Sequence, residues 1–518
     1  MRKIQILWTD DEIDLLRPYI LFLEEKGYDV KTASNGHDAI ELVRENYFDL
    51  VFLDENMPGM SGIETLNKIK ADFSTLPVIM ITKSEEENIM DVAIGSKIAD
   101  FLIKPVNPNQ ILLAIKKNID TKKLITKETT SAYQSVFSSI GMQINQAVNY
   151  RDWEEIYKKL VFWELELERL NDAGMHEVFK LQKSEAGAGF SKFIRSNYLQ
   201  WFAKDNIDKP LLSPNVFKEK VFPLIDQGEK VFVILVDNLR YDQWKTILPT
   251  ISDYFLVEDE DLFCSILPTA TQYARNSMFA GLMPKEIQNL NPGLWLNDDD
   301  ENAKNMNEEE LLQKQISRLG GKYKMYYEKI LNSKAGKKLV DNFSNLLNYD
   351  MVVIVYNFID IISHANTEME VIRELASNDT AYRALTLTWF QHSHLHDFIK
   401  LLAEKNIKVF FTTDHGSLRV SNPVKVVGDK KTSVNLRYKL GKNLSYNPKE
   451  VFEIKDPYQA HLPKSNVTSK YIFAMGSDYF VYPNNYNYYV NYYKSTFQHG
   501  GISMEEMLVP IIKMSPKI

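Results

Sequence analysis

Short apolar runs alternate with amphipathic stretches through the first hundred or so residues. Ile4–Trp8 runs into Thr9-Asp10-Asp11-Glu12, Asp49–Leu53 into Asp54, Val78–Ile81 into Thr82, and Asp100–Ile103 into Lys104-Pro105. Helical spacing fills the intervals, as in Ile13–Lys26 and Gly36–Asn46. Strands alternating with helices predict a parallel sheet. Ligands of such sheets gather at the carboxyl ends of the strands. Acids, a hydroxyl and a lysine all fall at that edge here.

The pattern then changes. Residues 121 to about 205 show no strand period, and helical spacing recurs in Gln134–Val148, Trp153–Leu170, Met175–Lys183 and Phe193–Phe202, with Gly187–Phe190 as an interruption. This predicts a small helical bundle without a basic helix-turn-helix; His176 stands alone in it and reads as structural. Asp205–Pro214 reads as a linker. Buried-strand runs return in Val231–Val236, Met351–Val355 and Val409–Thr412. The chain therefore divides into 1–120, 121–205 and 206–518.

Composition narrows the class. A chain of 518 residues has ample core for several domains. A formal net charge of −8 argues against general coating of nucleic acid. One cysteine, Cys264, excludes an intramolecular disulfide framework and suits a reducing, cytoplasmic setting. The N-terminus has no apolar signal core, and no apolar run is long enough to span a membrane.

The chemistry lies where apolar runs end. Asp237 follows the first C-terminal strand, Asp360 and His364 the second, and Asp414-His415-Gly416 the third. His499 precedes Gly500-Gly501, and Pro268-Thr-Ala-Thr271 opens a helix whose N-terminus favours an anion. Three Asp, three His and a hydroxyl form one residue set for two divalent metals and a nucleophile. Thr269 is a rival to Thr271 as that nucleophile. His392, His394 and His396 lie in an uninterrupted helical pattern from Ala381 to Lys405 and read as helix-face residues. The basic run from Lys425 to Lys442, with Lys430, Lys431 and Arg437, is either a solvated loop or a rim that grips substrate phosphates. The acidic stretch Asn297–Glu310 reads as an exposed loop with a helix start.

Residues 1–120 resemble the response-regulator receiver domain, a flavodoxin-like parallel sheet. The resemblance rests on the acidic pair, Asp54 followed by Met57-Pro58-Gly59, Thr82 and Lys104-Pro105. It implies that Asp54 accepts phosphate from a histidine kinase. Asp10, Asp11, Asp54 and the backbone carbonyl of Asn56 then hold Mg²⁺, Thr82 binds the phosphoryl oxygen, and Phe101 is the switch aromatic. A carboxylate attacks phosphorus only where Mg²⁺ and a cation such as Lys104 neutralise the charge.

Residues 206–518 resemble the alkaline phosphatase superfamily, an α/β fold, in the branch with nucleotide pyrophosphatases/phosphodiesterases and PglZ-type domains. The resemblance implies one zinc on Asp360, His364 and His499, and a second on Asp237, Asp414 and His415. Thr271 faces the second as the nucleophile. Ser363 stands where relatives often have Gly, and Cys264 lacks the context of a sulfatase nucleophile. The order of receiver, helical bundle and phosphatase-like domain resembles PorX-type response regulators. That implies a phosphorylation-dependent homodimer, a PorY-like sensor histidine kinase, contact with a sigma factor, and control of type IX secretion. The expected activity is a zinc phosphodiesterase acting on nucleotides or oligonucleotides, gated by Asp54, with a monoesterase as the enzymatic runner-up. The alternative is a docking regulator whose zinc is structural.

Overall fold

The computed structural model describes residues 3–73, 76–83, 98–170, 173–203, 209–295, 306–429, 432–464 and 466–517. The chain separates into two units, Met1–Ser135 and Val136–Ile518.

The first unit holds strands β1 (Gln5–Thr9), β2 (Asp29–Ala33), β3 (Leu50–Asp54), β4 (Val78–Thr82) and β5 (Asp100–Ile103). They form one sheet in the order β2-β1-β3-β4-β5, parallel throughout. β3 and β4 are buried at every position, as expected of central strands covered on both faces. Alternate residues feed two cores: Leu7, Val51 and Leu53 on one face, Ile6, Trp8 and Phe52 on the other. β2 escaped the sequence reading because its residues, Asp-Val-Lys-Thr-Ala, bury only Ala33. An edge strand of this kind carries polar residues and shows no apolar run.

The second unit is built on β6 (Val231–Val236), β7 (Phe255–Cys264), β8 (Met325–Ile330), β9 (Met351–Tyr356), β10 (Lys408–Thr412) and a late strand, β18 (Leu508–Pro516). Their order is β7-β18-β10-β6-β9-β8. β10, β6, β9 and β8 run parallel, and β18 is antiparallel to both β10 and β7. β6 and β9 are buried at all six positions. Small sheets add β11 (Leu418–Arg419) with β17 (Phe497–Gln498), and β12 (Asn422–Lys425) with β16 (Asp478–Val481). A third joins β13 (Tyr438–Gly441), β15 (Lys470–Ala474) and β14 (Val451–Ile454). The architecture is α/β in both units.

The helices Tyr150–Glu168 and Ala173–Asn197 belong to this second unit. The latter runs unbroken through the glycines read as an interruption. Gly189 is there for contact, because a Cβ at that position would lie 2.6 Å from the Trp153 ring. The helix expected to run unbroken from Ala381 to Lys405 is instead two, Asp379–Gln391 and His394–Glu404. Ser393 ends the first pattern by capping the second helix, accepting from the His396 amide. Residues 205–208 of the expected linker lie outside the described residues.

Candidate functional site

In the first unit, Asp10 follows β1, Asp54 ends β3, Thr82 ends β4 and Lys104 follows β5. The parallel sheet thus brings the predicted acids to one edge. Asp10, Asp11 and Asp54 each place a carboxylate oxygen within 4.8 Å of the others. Lys104 Nζ lies 2.6 Å from Asp54 and 2.9 Å from Asp10. Burial pushes the Asp54 carboxyl above its ordinary range; the Lys104 bond opposes this and the neighbouring Asp10 adds to it. Asn56 is exposed two residues beyond Asp54, and Phe101 packs half-buried against the core. The Thr82 hydroxyl donates to the buried Glu55 carboxylate, a partner the sequence did not signal. A donor set of oxygens alone suits Mg²⁺.

In the second unit, two clusters form where parallel strands end. Asp237 is the first residue after β6, and Asp414 and His415 follow closely after β10. Asp360 sits in the first turn of the helix Phe358–Glu368, just beyond β9, and His364 lies one turn on. His499 follows β17, whose pairing with β11 draws it back to the sheet edge. Asp360, His364 and His499 converge within 4.8 Å, as do Asp237, Asp414 and His415. Mixed carboxylate and imidazole donors fit zinc. Asp360, His364 and His499 would hold one ion, and Asp237, Asp414 and His415 the other. The first cluster is the more open, with the His364 side chain 64% exposed.

Neighbouring carbonyls orient the rings. His415 Nδ1 lies 3.1 Å from the Gly416 carbonyl and His499 Nδ1 lies 3.2 Å from that of Thr269. Protonation at Nδ1 leaves a lone pair on each Nε2 that can ligate a metal. The two rings stack with centroids 4.4 Å apart. Burial pushes His499 down to about 3, which keeps its ring neutral and able to ligate. Gly416 is obligatory, since a Cβ there would fall 2.1 Å from the Glu505 carbonyl.

Thr271 is the first residue of the helix Thr271–Ala280. Its Oγ1 lies 3.1 Å from His415 Nε2 and 3.5 Å from Asp237 Oδ1. The rival Thr269 is fully buried; it donates to the Gly501 carbonyl at 2.9 Å and accepts from the Gly500 amide at 3.0 Å. Its hydroxyl holds the turn that carries His499. Ser363 is also buried, donating to the Phe497 carbonyl at 3.2 Å.

Arg275 is a functional residue the sequence reading missed. It lies one helical turn from Thr271, a spacing that puts both on one face. Its buried guanidinium pairs with Asp237, with Asp414 at 3.0 Å and with Glu308 at 3.1 Å. Burial works against charge on Asp414, but Arg275 outweighs it and holds that carboxyl at about 2. Burial, with Asp414 and Asp360 nearby, pushes Asp237 well up against the pull of Arg275. Glu308 is buried at the start of the helix Glu308–Arg318, not exposed as its acidic stretch suggested. Residues 297–305 of that stretch lie outside the described residues. Asn238, in a left-handed turn at φ 64°, points its amide toward Asp360.

The phosphate-gripping rim needs correction. Arg437 is fully buried, and its guanidinium is bonded to Glu506 at 2.6 Å and to backbone carbonyls. A charge so enclosed cannot form an exposed rim. Lys430 and Lys431 lie outside the described residues. His392, His394 and His396 join no metal-competent cluster among the described residues. His394 faces Asp397 at 3.6 Å and His396 the Gln391 carbonyl at 3.3 Å.

Paired His/Asp clusters beside a helix-borne hydroxyl define an alkaline-phosphatase-like domain, in a chain that also carries a parallel sheet with an acidic edge. The chain belongs to the BREX system PglZ alkaline phosphatase-like domain family, whose model matches residues 216–514, more than half of its length. The response regulator receiver domain matches 6–116 and the PorX response regulator linker domain matches 123–202. Together they make the PorX-type arrangement of receiver, linker and PglZ domain. The chain is similar to the transcriptional regulatory protein ZraR of Escherichia coli O157:H7, 34% identical over 139 residues, 27% of this chain and 32% of the relative. It is also similar to the transcriptional regulatory protein SrrA of Staphylococcus aureus (strain NCTC 8325 / PS 47), 31% identical over 129 residues, 25% of this chain and 53% of the relative. The chain thus spans about a third to a half of these curated relatives. Among solved structures, a receiver domain protein from Clostridium thermocellum is 32% identical with TM-score 0.23, covering 23% of this chain and 98% of that one. A CheY-like receiver from Methanospirillum hungatei JF-1 is 27% identical with TM-score 0.23, covering 23% and 96%. No helix among the described residues is long and apolar enough to cross a membrane.

Proposed function

We propose that this chain is a response regulator in which phosphorylation at Asp54 gates a zinc-dependent phosphodiesterase acting on nucleotides or oligonucleotides. The observation that carries the reading is the placement of Thr271. Its hydroxyl sits at a helix N-terminus, 3.1 Å from His415 of one His/Asp cluster, and the His415 ring stacks on His499 of the second. Two zinc ions would supply Lewis acidity and ease deprotonation of the attacking hydroxyl. Thr271 Oγ1 forms the bond to phosphorus as one ester oxygen departs as its alcohol; water then breaks the Thr271 Oγ1–phosphorus bond, which frees the phosphate monoester and restores the hydroxyl. The first amides of the Thr271–Ala280 helix bind phosphoryl oxygens. Arg275 fixes Asp237 and Asp414, and Thr269 fixes the turn of His499. The division into 1–120, 121–205 and 206–518 belongs to this reading and is supported by the spans of the three family models.

A receiver implies a cognate sensor histidine kinase, here of the PorY-like kind. The linker match supports the PorX-type arrangement, and on that reading the chain is a cytoplasmic regulator of type IX secretion that dimerises when phosphorylated and meets a sigma factor. Beryllium fluoride with Mg²⁺ is expected to convert the protein to a dimer by light scattering, and Asp54→Ala to abolish the change. An unchanged mass in the wild type would remove the proposed switch.

Hydrolysis of bis-p-nitrophenyl phosphate tests the chemistry. Thr271→Val keeps the shape and removes the hydroxyl. It is expected to cost at least on the order of a hundredfold in rate with metals still bound. Thr269→Val costs much less. If zinc-loaded, phosphorylated protein hydrolyses no ester in a broad panel, the enzymatic reading falls and a docking regulator takes its place.

A further inference from the structure

A cavity of about 630 Å³ opens between the helix Ala173–Asn197 and the strands β11 and β12 with the Met475–Asp478 turn. No residue of either metal cluster lines it. Its volume falls in the range of small-molecule sites. Its charges do not cancel. Of the three carboxylates in its wall, Asp379 is bonded to Arg240 at 2.6 Å and Glu505 to Lys183 at 3.3 Å. Burial pushes the third, Asp478, above its ordinary range, against a bond from the Asn422 side chain. Against these stand Lys192 and Arg195 on the helix and Arg419 opposite, on β11. None of the three forms an ion pair among the described residues. Arg195 reaches the Pro448 carbonyl at 3.3 Å, and Arg419 the Ser495 carbonyl through Nε, which leaves its terminal nitrogens to the cavity. Ser421 and Ser477, joined at 2.8 Å, add hydroxyls to the same wall. Val420, Met475 and Met504 supply an apolar flank.

We propose that this cavity binds a phosphorylated small molecule of mononucleotide size, its phosphate between Lys192 and Arg419 and its apolar or planar end against the methionines. Charge-assisted bonds from a lysine and an arginine fork are the strong means of holding phosphate. The placement gives the site a regulatory consequence. Arg419 lies four residues beyond His415, and β11 pairs with β17 immediately before His499. A ligand that grips Arg419 therefore bears on the strand pair leading to one residue of each metal cluster. Lys192 sits on the same helix as Lys183, which pairs with Glu164 at 2.8 Å and with Glu505. Occupancy ties the linker helix to the catalytic sheet.

Crystals of the full chain soaked in tungstate, a phosphate mimic with an anomalous signal, locate the site directly. A peak within hydrogen-bond reach of Arg419 and Lys192 is expected, separate from any peak at the metal clusters. It disappears in Lys192→Ala/Arg419→Ala, whose zinc content stays at the wild-type value. In solution, AMP is expected to slow amide exchange across residues 184–195 and 418–422. The exposed charge reversal Lys192→Glu, which carries little risk to folding, weakens that protection by roughly tenfold or more in AMP concentration. Tungstate at the metal clusters but not in the cavity, or AMP protection indifferent to Lys192→Glu, would overturn the site and leave the catalytic reading untouched. Tungstate at neither place would count against both, and in the cavity alone against the catalytic reading only.

Discussion

The two halves of this chain solve one electrostatic problem in different ways. Each gathers carboxylates where parallel strands end, and each sets a basic side chain among them. In the receiver that side chain is Lys104, 17% exposed, beside an Asp11 open to solvent. In the PglZ domain it is Arg275, fully buried and shared by Asp237, Asp414 and Glu308. Lysine is a mobile point charge, whereas arginine is a rigid fork that bonds several oxygens at once. Burial magnifies each interaction and makes an unpaired charge expensive. The receiver pocket is therefore suited to charge that comes and goes, as the proposed Mg²⁺ and phosphoryl group would. Asp237 and Asp414 of the proposed metal centre are held in geometry by the protein's own arginine.

The sharpest way to break that contrast is to remove the buried cation. Arg275→Met strands the buried Asp237 and Asp414 carboxylates, while Glu308 keeps Lys329 at 3.2 Å, and is expected to cost about 3–5 kcal/mol of stability, the range for breaking a buried pair. Urea denaturation in a chelator measures it, and Arg275→Lys should recover only part. A loss below about 1 kcal/mol, as for an exposed pair, would mean that Arg275 does not hold the centre. A smaller effect is expected at the receiver. Mg²⁺ at ten times its Kd should stabilise the receiver by about 1.4 kcal/mol. Asp54→Asn should abolish that gain in the same unfolding assay. Least of all is the effect of salt. Raising NaCl from about 0.1 to 1 M shortens the screening length from roughly 10 to 3 Å. Mg²⁺ titrations should show the receiver pocket, with Asp11 open to solvent, weakening severalfold, while zinc content stays constant. Equal sensitivity at both sites would erase the distinction.

Much of both sites was legible in the sequence, for a physical reason. Central parallel strands are continuous apolar runs, so the polar residue that ends one stands out, as Asp54, Asp237 and Asp414 do. Thr271 could be read as a helix start from the Pro-Thr-Ala-Thr loop before it. What stayed hidden depends on contacts between distant segments. Arg275 had a local signal, its spacing from Thr271, but nothing local shows that its partners include Glu308. Glu308 lay in an acidic stretch that composition alone makes look solvated. Arg437 lay in a basic run, yet its partner Glu506 comes from 69 residues later in the chain. The break at Ser393 was lost because apolar spacing on either side continues across it, while a capping serine leaves only a single-residue trace.

Metal content tests the central claim most directly. Protein purified with both Mg²⁺ and zinc present should retain about two zinc ions per chain, following two-metal logic. His364→Ala or His499→Ala should each lose one, Asp414→Ala or His415→Ala the other, and Asp54→Asn none. Elemental analysis reads all five. Full zinc content in the four ligand variants, or no zinc in the wild type, would contradict the two-cluster centre on which the proposed chemistry stands.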